Sequence, residues 1–111
     1  MNPEDSIVIA AEAGIAIRSP ADIPAALGAC AGASRLLLTE AELAPAFFDL
    51  KSGLAGEVMQ KFVNYHMRVA IVVPDPAVYG ERVQELVYEH QFHSHIRFVR
   101  TRAEADAWLR S

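Results

Sequence analysis

Val69-Ala70-Ile71-Val72-Val73 decides the fold, because an unbroken apolar run of this length indicates a strand buried on both faces of a sheet. Pro74 and Pro76 follow it and close the strand. Arg35-Leu36-Leu37-Leu38-Thr39 is a second short apolar run bounded by polar residues, and Ile96–Val99 predicts the last strand. We expect all three runs to occupy interior positions of one sheet.

Helical patterns fill the intervals between these strands. The first interval predicts a long helix that ends near Asn64, from apolar residues at 3-4 spacing: Leu54, Val58, Met59, Phe62 and Tyr65. Glu81 to His90 predicts an amphipathic helix. Thr101-Arg102-Ala103-Glu104 is a capping box that begins a closing helix, which we expect to bury Ala105, Trp108 and Leu109.

The N-terminal third predicts two further elements. Ile7–Ile9 and Ile15–Ile17 are β-prone runs separated by Glu12-Ala13-Gly14, which predicts an opening hairpin with its turn at Gly14. Ser19-Pro20-Ala21-Asp22 then predicts the start of a helix, with a first turn made irregular by Pro24.

The predicted order of elements is therefore ββαβαβαβα, with a further capping box at Thr39-Glu40-Ala41-Glu42. Strands that alternate with helices imply an α/β fold, and the hairpin adds an antiparallel element. We expect one domain over residues 1–111, with a single-layer, mixed but largely parallel sheet covered by helices.

Composition excludes several classes of partner. The formal net charge is −4 and the basic residues are scattered, so no positive footprint for nucleic acid is expected. The longest lightly charged stretch, Ser19 to Ser34, is short and broken by prolines and glycines, which argues against a membrane span. The acidic Met1–Asp5 does not resemble a secretory signal, and the single Cys30 among small residues predicts a buried thiol. Together these features predict a cytoplasmic protein.

The segment Asp49-Leu50-Lys51-Ser52-Gly53-Leu54 carries the candidate functional residues. Ser52 and Gly53 precede the long helix, where backbone N–H groups lack intrahelical partners. Such a helix start favours a phosphate or carboxylate, or Ser52 simply caps the helix. Gly53 and the following Gly56 are costly in a helix, which predicts close packing of the helix against a strand. Our candidate binding or regulatory residues are Asp49, Lys51, Ser52, Gly53 and Leu54.

Other chemistry-bearing residues give no comparable pattern. His90, His93 and His95 cross from a helix into a strand, and Glu89 is the nearest carboxylate, so we expect a solvated connector and no metal site. The chain has no paired carboxylates, no nucleophile with an identifiable base and no P-loop. We therefore expect no catalytic residues and no cofactor.

The run PAFFDLKSGLAGEVMQKFVNYHMRVAIV, at residues 45–72, resembles the signature of an uncharacterised bacterial family, the domain of unknown function 4180. In that family FFDL, a small polar residue and GLAGE lead into QKF and NY before a strand. The C-terminal FVRTRAEADAWL also resembles the end of the family. The resemblance implies membership of the family. Because the family has no established reaction, the resemblance does not indicate which activity, if any, this chain has.

A second resemblance is to the STAS domain, the fold of anti-sigma-factor antagonists. Its helix-start motif D-S-S-G-L is similar to Asp49–Leu54, and the serine phosphorylated in those regulators corresponds to Ser52. This chain has one more residue between the aspartate and the serine, and Leu50 and Lys51 replace a small polar residue. The resemblance implies a STAS-like fold.

These observations predict a regulatory domain that binds another protein, or a second copy of itself, through the surface around Ser52. Two alternatives remain open. The first is a domain that binds a small ligand or an anion at the same helix start, and the second is an enzyme of unknown class. An open surface around Ser52 favours a protein partner, whereas a deep apolar pocket ending at Gly53 favours a ligand.

Overall fold

The computed structural model describes residues 6–111, which form an α/β fold with a four-stranded sheet. The strands are β1 (Ile7–Ile9), β2 (Arg35–Thr39), β3 (Arg68–Val72) and β4 (Ile96–Val99). They pair in the order β1-β2-β3-β4, and all three pairings are parallel. The predicted α/β class with a helix-covered sheet is confirmed.

Within residues 6–111, six α-helices and four short 3-10 turns connect and cover these strands. The helices are α1 (Ala10–Ala13), α2 (Ile23–Ala29), α3 (Pro45–Phe48), α4 (Leu54–Asn64), α5 (Glu81–Glu89) and α6 (Arg102–Leu109). The 3-10 turns span Pro20–Asp22, Glu40–Glu42, Leu50–Ser52 and Pro76–Tyr79.

The predicted opening hairpin is wrong. The alanine-rich residues after β1 form α1, and Gly14 ends that helix in the left-handed conformation, with φ of 70°. Ile17 pairs instead with Leu43 in an isolated parallel bridge, in which the Ile17 N–H donates to the Glu42 carbonyl at 2.8 Å. A left-handed glycine ends a helix as readily as it turns a hairpin, and local sequence does not separate the two.

The predicted interior position is correct for two strands and wrong for the third. β2 and β3 lie inside the sheet, whereas β4 is an edge strand. The sequence of β4 agrees with this position, because its buried Ile96 and Phe98 alternate with half-buried Arg97 and Val99. A strand buried on both faces has an unbroken apolar run instead, as β3 does.

Helices pack on both faces of the sheet, but one face has a much larger hydrophobic core than the other. One face carries the larger core, in which α2 and α4 pack on alternate strand residues and α5 adds Leu86 and Val87. The opposite face, formed by Leu37, Ala70 and Val72, packs against Ala105 and Leu109 of α6. Trp108 is only half-buried at the margin of this second core.

Several local expectations are confirmed. Thr39 and Glu42 form a capping box, and the Thr101 hydroxyl accepts the Glu104 N–H at 3.1 Å at the start of α6. The turn before α2 is a 3-10 turn, so Pro24 stands in the first turn of a helix that begins at Ile23.

Cys30 is buried at the end of α2, and this burial raises the pKa of its thiol. A thiol held in its neutral form is a poor nucleophile, which agrees with the predicted packing role. Met1–Asp5, on which the prediction of no secretory signal rests, lies outside the described residues. Within residues 6–111, no helix has the length and apolar character needed to cross a bilayer.

Arg68 fixes the C-terminal end of α6 to the sheet. The Arg68 guanidinium, from the first residue of β3, donates to the Trp108 carbonyl at 3.0 Å and to the Ser111 carbonyl at 3.1 Å. It also lies 4.6 Å from the centre of the Trp108 ring. A cation at these carbonyls complements the negative end of the helix dipole, so Arg68 stabilises α6 against the sheet.

Replacing Arg68 with Met removes these donors and keeps an apolar side chain of similar length. We expect the free energy of unfolding to fall by about 1–2 kcal/mol, because hydrogen bonds from a charged group are lost. Arg110→Met is the control, since the exposed Arg110–Asp106 pair one turn apart contributes about 0.5 kcal/mol or less. Urea unfolding of both variants measures the difference, and equal losses would contradict the role of Arg68.

Candidate functional site

The helix-start segment, residues Asp49–Leu54, lies where the connection from β2 reaches α4. It begins with a turn in which the Asp49 carboxylate accepts the Lys51 N–H at 3.3 Å. Gly53 then adopts the left-handed conformation, with φ of 80°, and α4 begins at Leu54. The segment therefore consists of a 3-10 turn followed by a left-handed glycine, and hydrogen bonds within the segment fix its conformation.

Ser52 stands one residue before the position of a helix cap, which Gly53 occupies. Its hydroxyl nevertheless accepts the N–H of Leu54, the first helical residue, at 3.2 Å. The same hydroxyl donates to the Ala46 carbonyl in α3 at 2.6 Å. Ser52 thus satisfies one free N–H of α4, as a cap would, and also joins α3 to α4.

The close packing predicted from the two glycines is wrong. A Cβ atom added to Gly53 or Gly56 would meet no heavy atom within 4 Å. Gly53 is required by its left-handed backbone, because other L-residues are strained there. Gly56 is exposed in the first turns of α4, and nothing within residues 6–111 requires a glycine there.

Four of the five candidate residues form one exposed surface. Asp49, Lys51, Ser52 and Gly53 are exposed, whereas Leu54 is 4% exposed and belongs to the main core. Leu54 therefore anchors the segment, and the other four residues are available for contact.

An aromatic and carboxylate cluster, which the sequence did not indicate, supports this segment. The Phe48 ring stacks on the Tyr79 ring with centroids 3.9 Å apart and planes within 11°. The Tyr79 hydroxyl donates to the Glu40 carboxylate, which follows β2. Burial, and then the Glu40 hydrogen bond and charge, raise the pKa of Tyr79 to about 12. Tyr79 is therefore a neutral donor that fixes the loops after β2 and β3 to each other.

An open groove of about 390 Å³ separates the helix-start segment from α5. Leu50 and Leu86 contribute apolar surface, and the charged lining residues are Glu81, Arg82, Glu85 and Glu89. The three glutamates are four residues apart on one helix, where like charges oppose helix formation. The groove is thus acidic, with Leu50 and Leu86 as its apolar lining residues.

The histidines form a connector with defined hydrogen bonds. The His90 and His93 rings lie 5.1 Å apart, and His90 Nδ1 lies 2.9 Å from the Leu86 carbonyl. His93 Nδ1 accepts the N–H groups of His95 and Ile96, each at 3.0 Å. Across the described part of the chain, no three His, Cys, Asp or Glu side chains are grouped as a metal site requires.

The carboxylates that follow β2 and β3 accept hydrogen bonds from groups close to them. The Glu42 carboxylate accepts the Thr39 N–H at 2.9 Å and the Thr39 hydroxyl at 2.7 Å. Glu40 accepts from Tyr79, and Asp75 accepts the Ala77 N–H at 3.2 Å. These carboxylates therefore stabilise turns through contacts with nearby backbone and hydroxyl groups.

Comparison with known proteins places these features in a family. The profile of the family described as "Domain of unknown function (DUF4180)" matches residues 3–109, which is nearly the whole chain. The chain belongs to the DUF4180 family. No curated protein and no solved structure matches it. The DUF4180 resemblance of residues 45–72 is thereby confirmed, and membership assigns no activity to this member.

We expect alanine substitutions at Gly53, in the helix-start segment, and at Gly56, in α4, to change stability in opposite directions. Gly53→Ala forces alanine into a left-handed conformation and lowers the free energy of unfolding by about 1–2 kcal/mol. Gly56→Ala raises it by about 0.5–1 kcal/mol, because alanine is the better helix former and the site is open. Thermal and urea unfolding of the two variants measure both signs. Destabilisation by Gly56→Ala would contradict the open surface described above.

We expect the environment of His93 to lower the free energy of unfolding in mild acid. Burial, and then His90, His95 and Arg97, lower the pKa of His93, whose Nδ1 is needed as an acceptor. The unfolded chain therefore binds a proton at higher pH than the native chain does. The stabilisation is complete above about pH 6.5 and decreases as the pH falls from there towards the native pKa.

The variant His93→Asn keeps an acceptor oxygen but does not titrate, so its stability depends less on pH below about 6.5 than that of the unmodified protein. Urea unfolding across this pH range measures the slope. The control is His66→Asn, since His66 is exposed and asparagine tolerates its left-handed φ of 58°. An unchanged slope in His93→Asn would contradict the role of His93.

Proposed function

We propose that this DUF4180 protein is a non-enzymatic regulatory domain of the bacterial cytoplasm that binds another protein. Its contact surface consists of Asp49, Lys51, Ser52 and Gly53 together with the adjacent acidic groove. The observation that carries the proposal is the exposure of a segment whose conformation is fixed by internal hydrogen bonds. A fixed surface loses little conformational entropy on binding, which favours recognition.

Gly56 extends this surface along α4. Its open side leaves room for the backbone of a partner to approach the helix, and this accounts for a glycine that the fold does not require. The groove beside Leu50 continues the surface towards α5. Together they form an open contact area of the kind that a protein partner covers, rather than an enclosed pocket.

The ligand and enzyme alternatives have less support. The groove nearest to the segment is lined by Leu50 and α5 residues, and neither Ser52 nor Gly53 lines it. The Leu54 N–H is already bonded to Ser52, and the Asp49 and Glu57 carboxylates close to the helix start in sequence oppose an anion. The Glu40 and Glu42 carboxylates hold turns together through Tyr79 and Thr39, and such structural roles give the enzyme alternative little support.

The resemblance to anti-sigma-factor antagonists extends the proposal to Ser52 as a phosphorylation site. A kinase that transfers the γ-phosphoryl group of a nucleoside triphosphate to Oγ would release the nucleoside diphosphate, and the new O–P bond would replace the O–H bond that now donates to the Ala46 carbonyl. Modification therefore breaks the link between α3 and α4 and adds negative charge at the contact surface. The partner is then released by the altered surface.

The test is affinity capture from the native cell with variants of the surface. Gly56→Gln leaves the fold stable but fills the open side of α4, and Lys51→Glu reverses a charge on the segment. We expect each to retain the captured partner at least about tenfold less well, as loss of contact at a binding surface does. Lys61→Glu on the same helix is the control and retains it. Equal retention by all variants would overturn the proposal.

A further inference from the structure

The outer edge of β4 has backbone groups directed away from the sheet. The carbonyls of His95 and Val99 accept the N–H groups of Val69 and Val73, at 2.7 and 2.8 Å. Backbone groups of alternate residues in a strand point to opposite sides. The N–H and C=O of Phe98 therefore point away from β3, at an edge that no other strand within residues 6–111 covers.

A histidine closes only the beginning of this edge. The Ile96 N–H, which also points outward, donates to His93 Nδ1 at 3.0 Å. The Arg97 Nε donates to the His93 carbonyl at 2.9 Å and holds the same connector in position. The edge is thus covered at Ile96 and open from Phe98 onward.

A cavity of about 430 Å³ follows the open part of the edge. Four consecutive residues, 97 to 100, line it, together with Val87 and Gln91 beside α5's end and Glu104 and Trp108 of α6. Val73, directly after β3, also lines this cavity; because consecutive strand residues face opposite sides of a sheet, the cavity wraps around the carboxyl end of β4 and its free edge. The two helices form the walls of a channel whose floor is β4.

A second cavity, of about 320 Å³, adjoins this channel on the side of α5. Phe98, Val87 and the exposed Tyr88 contribute apolar surface to it. A strand added to an edge needs such a pocket, since its alternate side chains must be accommodated on one face of the sheet. An apolar side chain of an added strand would fit into this second cavity, on the face of the sheet that α5 covers.

The opposite side of the edge is basic. Arg97 lies over the Trp108 ring, 4.9 Å from its centre, on the face that α6 covers. Arg100 lines both cavities, and Arg102 is exposed at the start of α6. Among the described residues that line the edge cavity, Arg97 and Arg100 are basic and Glu104 is acidic, so arginine exceeds carboxylate there, whereas Asp75 balances Arg100 in the second cavity.

The geometry points to β4 as the docking site for an extended acidic segment of another protein, which adds to the sheet as a fifth strand. Its apolar residues occupy the cavity beside Tyr88, and its alternate Asp or Glu residues meet the arginines. A second copy is the poorer occupant, because pairing two β4 strands brings Arg97 and Arg100 of both copies onto one seam. This surface is separate from the helix-start segment and does not depend on the function proposed above.

The test uses synthetic peptides of about six residues, the usual length of a strand. A peptide of alternating Glu and Val is titrated into the isotopically labelled full chain and followed by NMR. We expect saturable shifts centred on the N–H groups of Phe98 and Arg100, with slower hydrogen exchange at Phe98. An alternating Lys and Val peptide binds at least about fivefold more weakly, because its charges oppose the arginines.

Two controls separate strand addition from simple charge attraction. N-methylation of alternate peptide residues on the bonding edge removes donors and abolishes binding, whereas methylation of the opposite edge does not. Arg100→Glu weakens binding of the Glu peptide at least about fivefold. Arg82→Glu, with the same charge change on exposed α5 surface, leaves it unchanged, as do Lys51→Glu and Gly56→Gln.

Four results would overturn the inference. They are equal affinity for the Glu and Lys peptides, indifference to N-methylation, shifts located away from β4, and a dimer whose edge N–H groups are already protected without peptide. The last result identifies a second copy as the occupant. Loss of partner capture in the Lys51 variant bears only on the proposed function and leaves this inference unaffected.

Discussion

The order of the parallel strands is the constraint on which the rest of the structure depends. Connections between neighbouring parallel strands are right-handed, so a sheet that grows in one direction receives its connecting helices on one face. The other face is left to α6, a helix of eight residues that is too short to be stable alone. Burial of Ala105 and Leu109 and the contacts of Arg68 therefore keep this face covered.

The same constraint determines where the contact surfaces lie. In a parallel sheet the carboxyl ends of all strands lie at the same end of the sheet, so the loops after β2 and β3 meet there. The stacked Phe48 and Tyr79 rings, with the Glu40 hydrogen bond, fix these loops to each other and hold the helix-start segment beside α5. Because β4 is the last strand of the sheet within residues 6–111, its outer edge is unpaired and lies between α5 and α6.

The sequence correctly predicted the features that depend on neighbouring residues, namely apolar strands, a helix end and helix caps. The continuous apolar runs of β2 and β3, the end of α4 at Asn64 and the caps at Thr39 and Thr101 were all recognisable. The prediction of an opening hairpin was wrong because Gly14 serves either kind of turn, and the interior position predicted for β4 overlooked the alternation of Ile96 and Phe98 with Arg97 and Val99. Four of the five candidate residues chosen from the sequence are exposed, and their role stays a prediction. The contact between Glu40 and Tyr79, 39 residues apart, has no local signal.

Charge alone would allow the acidic α5 of one copy to meet the basic β4 edge of another and form an open chain of subunits. Backbone chemistry opposes this arrangement. The open edge offers an N–H and a C=O that an extended segment satisfies, whereas the backbone groups of α5 are already bonded within the helix. A helix seated on β4 would leave the Phe98 groups without partners and separate them from water. The two surfaces therefore differ in the shape they accept as well as in charge, and the β4 edge selects an extended partner over a second copy presenting α5.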